Sequence, residues 1–275
     1  MSDSVRTQLK ASASGQNMRK RQSPKRKQSK KREPAQKPEP QIEEVTRETS
    51  SIEEHANVLF KPNPGPQTEF LAASEREVLY GGSAGGGKSY AMLADPLRYM
   101  GHPQFSGLLL RHTTEELREL IFKSQELYPK IWPGIKWSER KMQWTAPSGA
   151  RLWMSYLDRD DDVLRYQGLA FSWIGFDELT QWATPYAWNY MRSRLRSTAP
   201  DLPIFMRATT NPGGRGHQWV KKMFIDPAPY NRSFDATDSE TGEVLRYPYG
   251  HSKAGKPLFK RRFIPARLSD NPYLA

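Results

Sequence analysis

The stretch LYGGSAGGGKS, residues 79–89, holds five glycines in eleven positions and closes on a lysine followed by a serine. It overlaps EVLYGG, an apolar run that reads as a buried strand, and leads into KSYAMLADPLRYM, which reads as a helix interrupted near Pro96. From Gly82 to Ser89 the pattern is G-x-x-x-x-G-K-[ST]. Residues without a Cβ let successive backbone N–H groups converge on phosphate oxygens, and the N-terminus of the following helix adds its partial positive charge. In this reading Gly82, Gly85, Gly86 and Gly87 form a cradle, Lys88 reaches the β- and γ-phosphates of a nucleotide, and the Ser89 hydroxyl holds Mg²⁺. A ligand-free Gly-rich turn has the same composition, but a strand before and a helix after favour phosphate binding.

Outward from this loop, strands and helices alternate. KPNPGPQTEFLAA reads as a turn and a short helix ahead of the loop, and IEEVTRETSSIEEHANVLF, residues 42–60, as one helix before that. FSGLLLR is a second buried strand, and TTEELRELIFKSQELY a helix with a capping box from Thr113 to Glu116. KMQWTAPSGARLWMSY reads as a β-hairpin turning at residues 147–149, and FSWIGFDE and PIFMRATTN as further strands. The alternation predicts an α/β fold: a mainly parallel sheet covered by helices on both faces, over residues 46–275.

Two of these strands end in chemistry. FSWIGFDEL runs into adjacent carboxylates, Asp177 and Glu178. Neighbours at a strand end point in different directions, so Asp177 is expected to face the metal, directly or through water, and Glu178 to polarise an attacking water. An acidic helix N-terminus is the plainer alternative. PIFMRATTN ends in Thr209, Thr210 and Asn211, a polar cluster able to sense a γ-phosphate and equally readable as a strand-to-turn cap before Asn-Pro and Gly-Gly.

The chain has 275 residues and no cysteine, which excludes a disulfide framework and thiolate metal sites. No apolar run approaches the roughly 18 residues of a membrane span, and no secretory apolar segment is evident, so a soluble cytosolic protein is expected. Of the formal net charge of +12, nine units fall in residues 1–40, where twelve Lys and Arg face Asp3, Glu33 and Glu39. Residues 1–45 therefore read as a disordered basic arm, suited to nucleic-acid phosphates or serving as a solubilising or partner-binding tail.

Taken together the chain resembles the large terminase subunit of tailed bacteriophages, in its N-terminal ATPase domain. The resemblance runs over about residues 60–275, through PQTEFL, YGGSAGGGKS, GLLLRHTTEELREL, YQGLAFSWIGFDELTQW, YMRSRLRS, RATTNPGGRGHQWVKKMF and RFIPARLSDNPYL. It implies a P-loop fold of the RecA-like type and a ring-forming motor that hydrolyses ATP with Mg²⁺ to move double-stranded viral DNA into a procapsid. The implied partners are a portal protein and a small terminase subunit, and the implied setting is the host cytoplasm, with no membrane. A helicase or another RecA-like DNA-dependent ATPase shares the nucleotide loop, and a DNA-binding or assembly module could retain nucleotide affinity. The resemblance assigns Gln67 to adenine, Lys88 and Ser89 to the nucleotide loop, Asp177 and Glu178 to the acidic strand end, and Thr209, Thr210 and Asn211 to coupling. Where many members carry an arginine before the glycine that here is Gly168, this chain has Gln167; Arg165 is then the first candidate for a cation acting across subunits, and Arg192, Arg194 and Arg196 the second group. The family continues into a nuclease domain, whereas this chain stops after NPYLA, so DNA cleavage is not expected of it.

Overall fold

A computed structural model describes residues 60–239, 241–245 and 259–271. The expected basic arm over residues 1–45, and all but the last residue of the helix expected over residues 42–60, lie outside the described residues.

Helix α1 (Pro66–Ala72) begins on a proline whose fixed φ suits a first turn, and it buries Gln67 and Phe70. Strand β1 (Glu77–Gly82) leads through the glycine loop into α2 (Lys88–Ala94). At Asp95 the helix tightens into a 3₁₀ turn, Asp95–Tyr99, which places Pro96 where its missing N–H is tolerated. After β2 (Ser106–Arg111), α3 (Thr114–Ile131) starts on the expected capping box: Glu116 N–H donates to Thr113 Oγ1 and Thr113 N–H to Glu116 Oε2, both at 3.4 Å. The strands β3 (Lys136–Ser138), β4 (Gln143–Thr145) and β5 (Arg151–Tyr156) follow, β4 and β5 pairing antiparallel as the hairpin reading predicts. A 3₁₀ turn, Asp160–Tyr166, leads to β6 (Trp173–Phe176), and α4 (Tyr186–Arg192) to β7 (Phe205–Thr210). Then come α5 (His217–Val220), which widens into a π turn over Lys221–Ile225, β8 (Ser233–Asp235), β9 (Lys260–Ala266) and a 3₁₀ turn, Leu268–Asp270.

The described strands form one sheet in the order β3-β4-β5-β2-β6-β7-β1-β9-β8. From β5 to β9 every pairing is parallel, and the antiparallel strands sit at the two edges. Side chains alternate between the faces, as the pleat requires. Val78, Tyr80, Leu109 and Trp173 pack under α1, α2 and α3, while Leu79, Leu108, Ile174 and Met206 pack under α4 and α5. Helices on both faces bury the sheet, and the fold is the expected α/β type. One central-sheet strand escaped the sequence reading. β9 pairs with β1 although its residues, KRRFIPA, are charged at the start and contain Pro265. That proline lies beyond Arg262, where pairing with β8 ends, a position at which a strand tolerates it.

Two buried charge networks close the amino-terminal ends of the strands. Glu77 at the start of β1 is wholly buried, with Arg192 Nε at 2.6 Å and Arg261 Nη2 at 2.6 Å, so one carboxylate ties β1 to α4 and β9. Burial alone would raise its pKa, but the two guanidiniums outweigh this and hold it lowered to about 2. Nearby, the buried Arg207 of β7 donates to the carbonyls of Glu75 and Ala73, and Asp95 Oδ2 accepts from Trp173 Nε1 at 2.7 Å and lies 3.4 Å from Arg207 Nε.

Candidate active site

At the opposite, carboxyl ends of the strands, β7 lies between β1 and β6. This order brings the glycine loop, the carboxylate pair and the polar end of β7 side by side. The loop is closely held. Gly82 has φ 140°, and a Cβ there would meet the Ala266 carbonyl oxygen at 1.9 Å, because Ser83 N–H donates to that same oxygen. Gly87, at φ 72°, is the left-handed residue just before α2, and a Cβ would press on Gln67 Nε2 at 2.7 Å. From beneath, the Tyr80 hydroxyl donates to Gly86 O at 2.8 Å and Asn271 Nδ2 donates to Gly85 O.

Gln67, expected to contact adenine, is buried under the loop. Its Nε2 donates to Gly87 O at 2.9 Å and its Oε1 accepts from Asn63 N–H, so both ends of the amide hold backbone. Lys88 turns its ammonium back onto the loop, donating to the carbonyls of Ser83 and Gly82. Burial lowers its pKa, opposed by the charges of Glu178 and Asp177.

The two carboxylates differ in exposure but share one cation, Asp177 Oδ2 and Glu178 Oε2 lying 3.0 and 3.4 Å from Arg111 Nη1. Asp177 is buried: Oδ1 accepts from the Thr209 hydroxyl, and Oδ2 lies 3.0 Å from Arg111 Nη1 without a hydrogen-bond partner. Burial raises its pKa, with Arg111 and then the Thr209 hydroxyl pulling the other way. Glu178 adopts φ 60°, ψ 58°, a left-handed conformation uncommon outside glycine, and its side chain is partly exposed where that of Asp177 is buried. Its Oε1 accepts from Asn211 Nδ2 at 3.1 Å and its Oε2 from Gln181 Nε2 at 2.9 Å, while its backbone N–H donates to Thr209 Oγ1 at 2.9 Å. Thr210 Oγ1 reaches Thr180 Oγ1 at 3.1 Å, so each member of the Thr209–Asn211 cluster ties β7 to the Asp177–Gln181 segment.

A cleft of about 320 Å³ opens over these groups, lined by the loop with Lys88 and Ser89, by Tyr90 and Lys123, and by Glu178, Asn211 and Asn271. Of the expected residues it gathers Gly85, Gly87, Lys88, Ser89, Glu178 and Asn211, whereas Gln67, Gly82, Gly86, Asp177, Thr209 and Thr210 do not line it. Arg165 stands apart, on the 3₁₀ turn after β5; half-exposed, it is held by Asp162 and by the Tyr156 carbonyl at 2.7 Å. Arg192 is not a surface residue, since its guanidinium is committed to Glu77.

Residues the sequence reading passed over complete the site. Arg111 ends β2, next to β6, and bridges Asp177, Glu178 at 3.4 Å and Glu116 at 3.8 Å. Its signal was present: an apolar strand closing on a charged residue, the form that marks Asp177. Gln181 links Glu178 to Glu116, and Asn63, Asn271 and Gly85 form a chain of amide contacts whose members are far apart in sequence.

A loop of this form at a strand–helix junction, with a carboxylate pair one strand removed, defines a P-loop NTPase of the RecA-like kind. The family model described as phage terminase large subunit matches residues 74–254, and the chain belongs to that family. A search of curated proteins finds no match. Among solved structures, a large terminase from a thermophilic bacteriophage, in complex with ADP, superposes with TM-score 0.54 at 16% identity, over 78% of this chain and 48% of that one. A mutant ATPase domain of a Thermus phage large terminase gives TM-score 0.50 at 13% identity, over 75% and 82% of the two chains. The chain thus spans about half the length of the first of these relatives, and both share its fold.

Proposed function

We propose that this chain is the motor part of a phage terminase, hydrolysing ATP to translocate double-stranded viral DNA into a procapsid. The observation that carries this reading is the single cleft lined by Lys88, Ser89 and Glu178, next in the chain to the buried Asp177. The ADP held by the thermophilic phage relative supports an adenine nucleotide as the occupant. In this reading the Lys88 ammonium exchanges the loop carbonyls for the β- and γ-phosphates. Glu178 turns toward the attacking water, orients it and accepts its proton, while Asn211 and Gln181 fix the carboxylate from behind. Asp177 and the Ser89 hydroxyl at the cleft would hold Mg²⁺ together with nucleotide oxygens, Asp177 Oδ2 being without a hydrogen-bond partner but 3.0 Å from the Arg111 guanidinium that the ion would have to displace or share. When bound, that ion would offset the charge that develops on the phosphoryl oxygens.

The same reading includes a homo-oligomeric ring docked transiently on a procapsid in the host cytoplasm, with a portal protein and a small terminase subunit as partners. Within the ring Arg165 is the candidate cation for a neighbour's site, in keeping with its place outside its own cleft. The test is ATP turnover by the full chain with and without duplex DNA. Duplex DNA is expected to stimulate turnover, and Glu178→Gln to bind ATP while losing about 10² to 10⁴ in rate. Near wild-type turnover by Glu178→Gln would reject the water-polarising role, and strand separation by the chain would move the reading to a helicase. Arg165→Ala subunits mixed with Glu178→Gln subunits are expected to recover hydrolysis, since each lacks a different half of a shared site; no recovery excludes Arg165.

A further inference from the structure

Lys123 lines the same cleft as Lys88 and Glu178, yet no motif points to it. It comes from the middle of α3, on the wall beside Tyr90, and its ammonium lies 6.0 Å from the Tyr90 ring centre. Among the described residues its ion-pair partner is Glu119, one helical turn away at 2.5 Å, and that side chain is 64% exposed. An exposed i,i+4 pair of this kind contributes only about 0.3–0.5 kcal/mol. The ammonium is therefore cheaply released, on a flexible four-carbon stem, beside a cleft shaped for polyphosphate. The contact with Lys123 also holds the Glu119 carboxyl below its ordinary pKa, as expected of a pair whose two charges see one another.

We propose that Lys123 is a cation acting within its own subunit on the γ-phosphate: when a nucleoside triphosphate fills the cleft, the ammonium leaves Glu119 and pairs with the terminal phosphate. This rests on the reading of the cleft as an ATP site. A diphosphate ends short of the group that draws Lys123, so the side chain discriminates the nucleotide before hydrolysis from the nucleotide after it. Glu119 acts as its holding partner in the diphosphate state. Charge on the phosphoryl group would then be met partly in cis, leaving less to be supplied across a subunit interface.

The test is calorimetric titration of the full chain, with Mg²⁺ present, by a non-hydrolysable ATP analogue and separately by ADP. Loss of one charge-assisted contact predicts that Lys123→Ala weakens the analogue about tenfold and ADP by less than about twofold. Lys123→Arg is expected to retain most of the preference. Glu119→Gln, which frees the ammonium, is expected to tighten the analogue and leave ADP unchanged. Equal weakening of both nucleotides by Lys123→Ala, or no change in either, overturns the proposal. Lys88→Ala should lose both nucleotides in the same experiment, which separates the two readings: a wild-type chain that binds neither nucleotide overturns the site itself and this proposal with it.

Discussion

The two ends of the sheet carry the same chemistry to opposite purposes. At the amino ends Glu77 is wholly buried and is met by two guanidiniums, so both its oxygens have partners and three elements are locked together. At the carboxyl ends the proportion reverses: one guanidinium, Arg111, faces the three carboxylates Asp177, Glu178 and Glu116. Buried side-chain atoms without a hydrogen-bond partner occur at both ends, Glu75 Oε2, Arg192 Nη2 and Arg207 Nε at the amino ends and Asp177 Oδ2, Gln181 Oε1 and Asn211 Oδ1 at the carboxyl ends, so it is the balance of charge that differs. The difference separates a staple from a site more clearly than residue type does, since both are made of carboxylates and arginines.

The largest expected effect comes from breaking the open end. Lys88→Ala removes the cation proposed to meet the phosphates, and hydrolysis is expected to fall below detection while the thermal midpoint stays near that of wild type, read by turnover and by differential scanning fluorimetry. Breaking the closed end should do the reverse. Glu77→Ala leaves Arg192 and Arg261 buried without a counter-charge, which costs about 3–5 kcal/mol. For a unit of this size that lowers Tm by about 6–20 °C. Residual folded protein should still bind nucleotide, and loss of binding without loss of stability would contradict the division of labour.

The closed end can also be titrated. Because the folded pKa of Glu77 is lowered from 4.5 to about 2, its contribution is fully present above the unfolded value and is lost as pH falls from about 4.5 toward 2. Chemical denaturation of the wild type should show falling stability across this window, and Glu77→Gln should show a flatter acid limb. An identical slope in the two proteins would mean that other carboxylates set the acid limb.

Local patterns made half of this legible. The glycine loop, the capped helix α3 and the Asp177–Glu178 strand end were readable because spacing of a few residues dictates them. Coupling of Thr209 and Asn211 to those carboxylates was readable only in outline, since their contacts span more than thirty residues. Arg192 was grouped with the candidates for a cation acting across subunits because its partner Glu77 lies 115 residues away, and no pattern within α4 records that pairing. Strand β9 was missed because charged residues and a proline mask a strand whose pairing, and whose Arg261–Glu77 contact, are supplied by distant β1. Gln67 shows the converse limit: a role carried over from family resemblance does not say that both ends of its amide are engaged by Gly87 and Asn63.

The smallest expected effect is the sharpest test of the comparison, because its sign differs between the two ends. Asp177→Asn removes one of the three carboxylates around Arg111 and keeps an oxygen that can accept from the Thr209 hydroxyl. Arg111 retains Glu178 and Glu116, so no cation is left unpaired, and repulsion between Asp177 and Glu178 disappears. Stability in the absence of nucleotide and Mg²⁺ is therefore expected to rise by about 0.5–2 kcal/mol, the range common for single stabilising substitutions. The nearly isosteric Glu77→Gln, by contrast, should lower it. Urea denaturation at neutral pH measures both. A loss of more than about 1 kcal/mol in Asp177→Asn, on the scale of an ordinary destabilising substitution, would mean that the Arg111 cluster holds the fold together as the Glu77 cluster does, and that the open end of the sheet is not tuned for chemistry at the expense of stability.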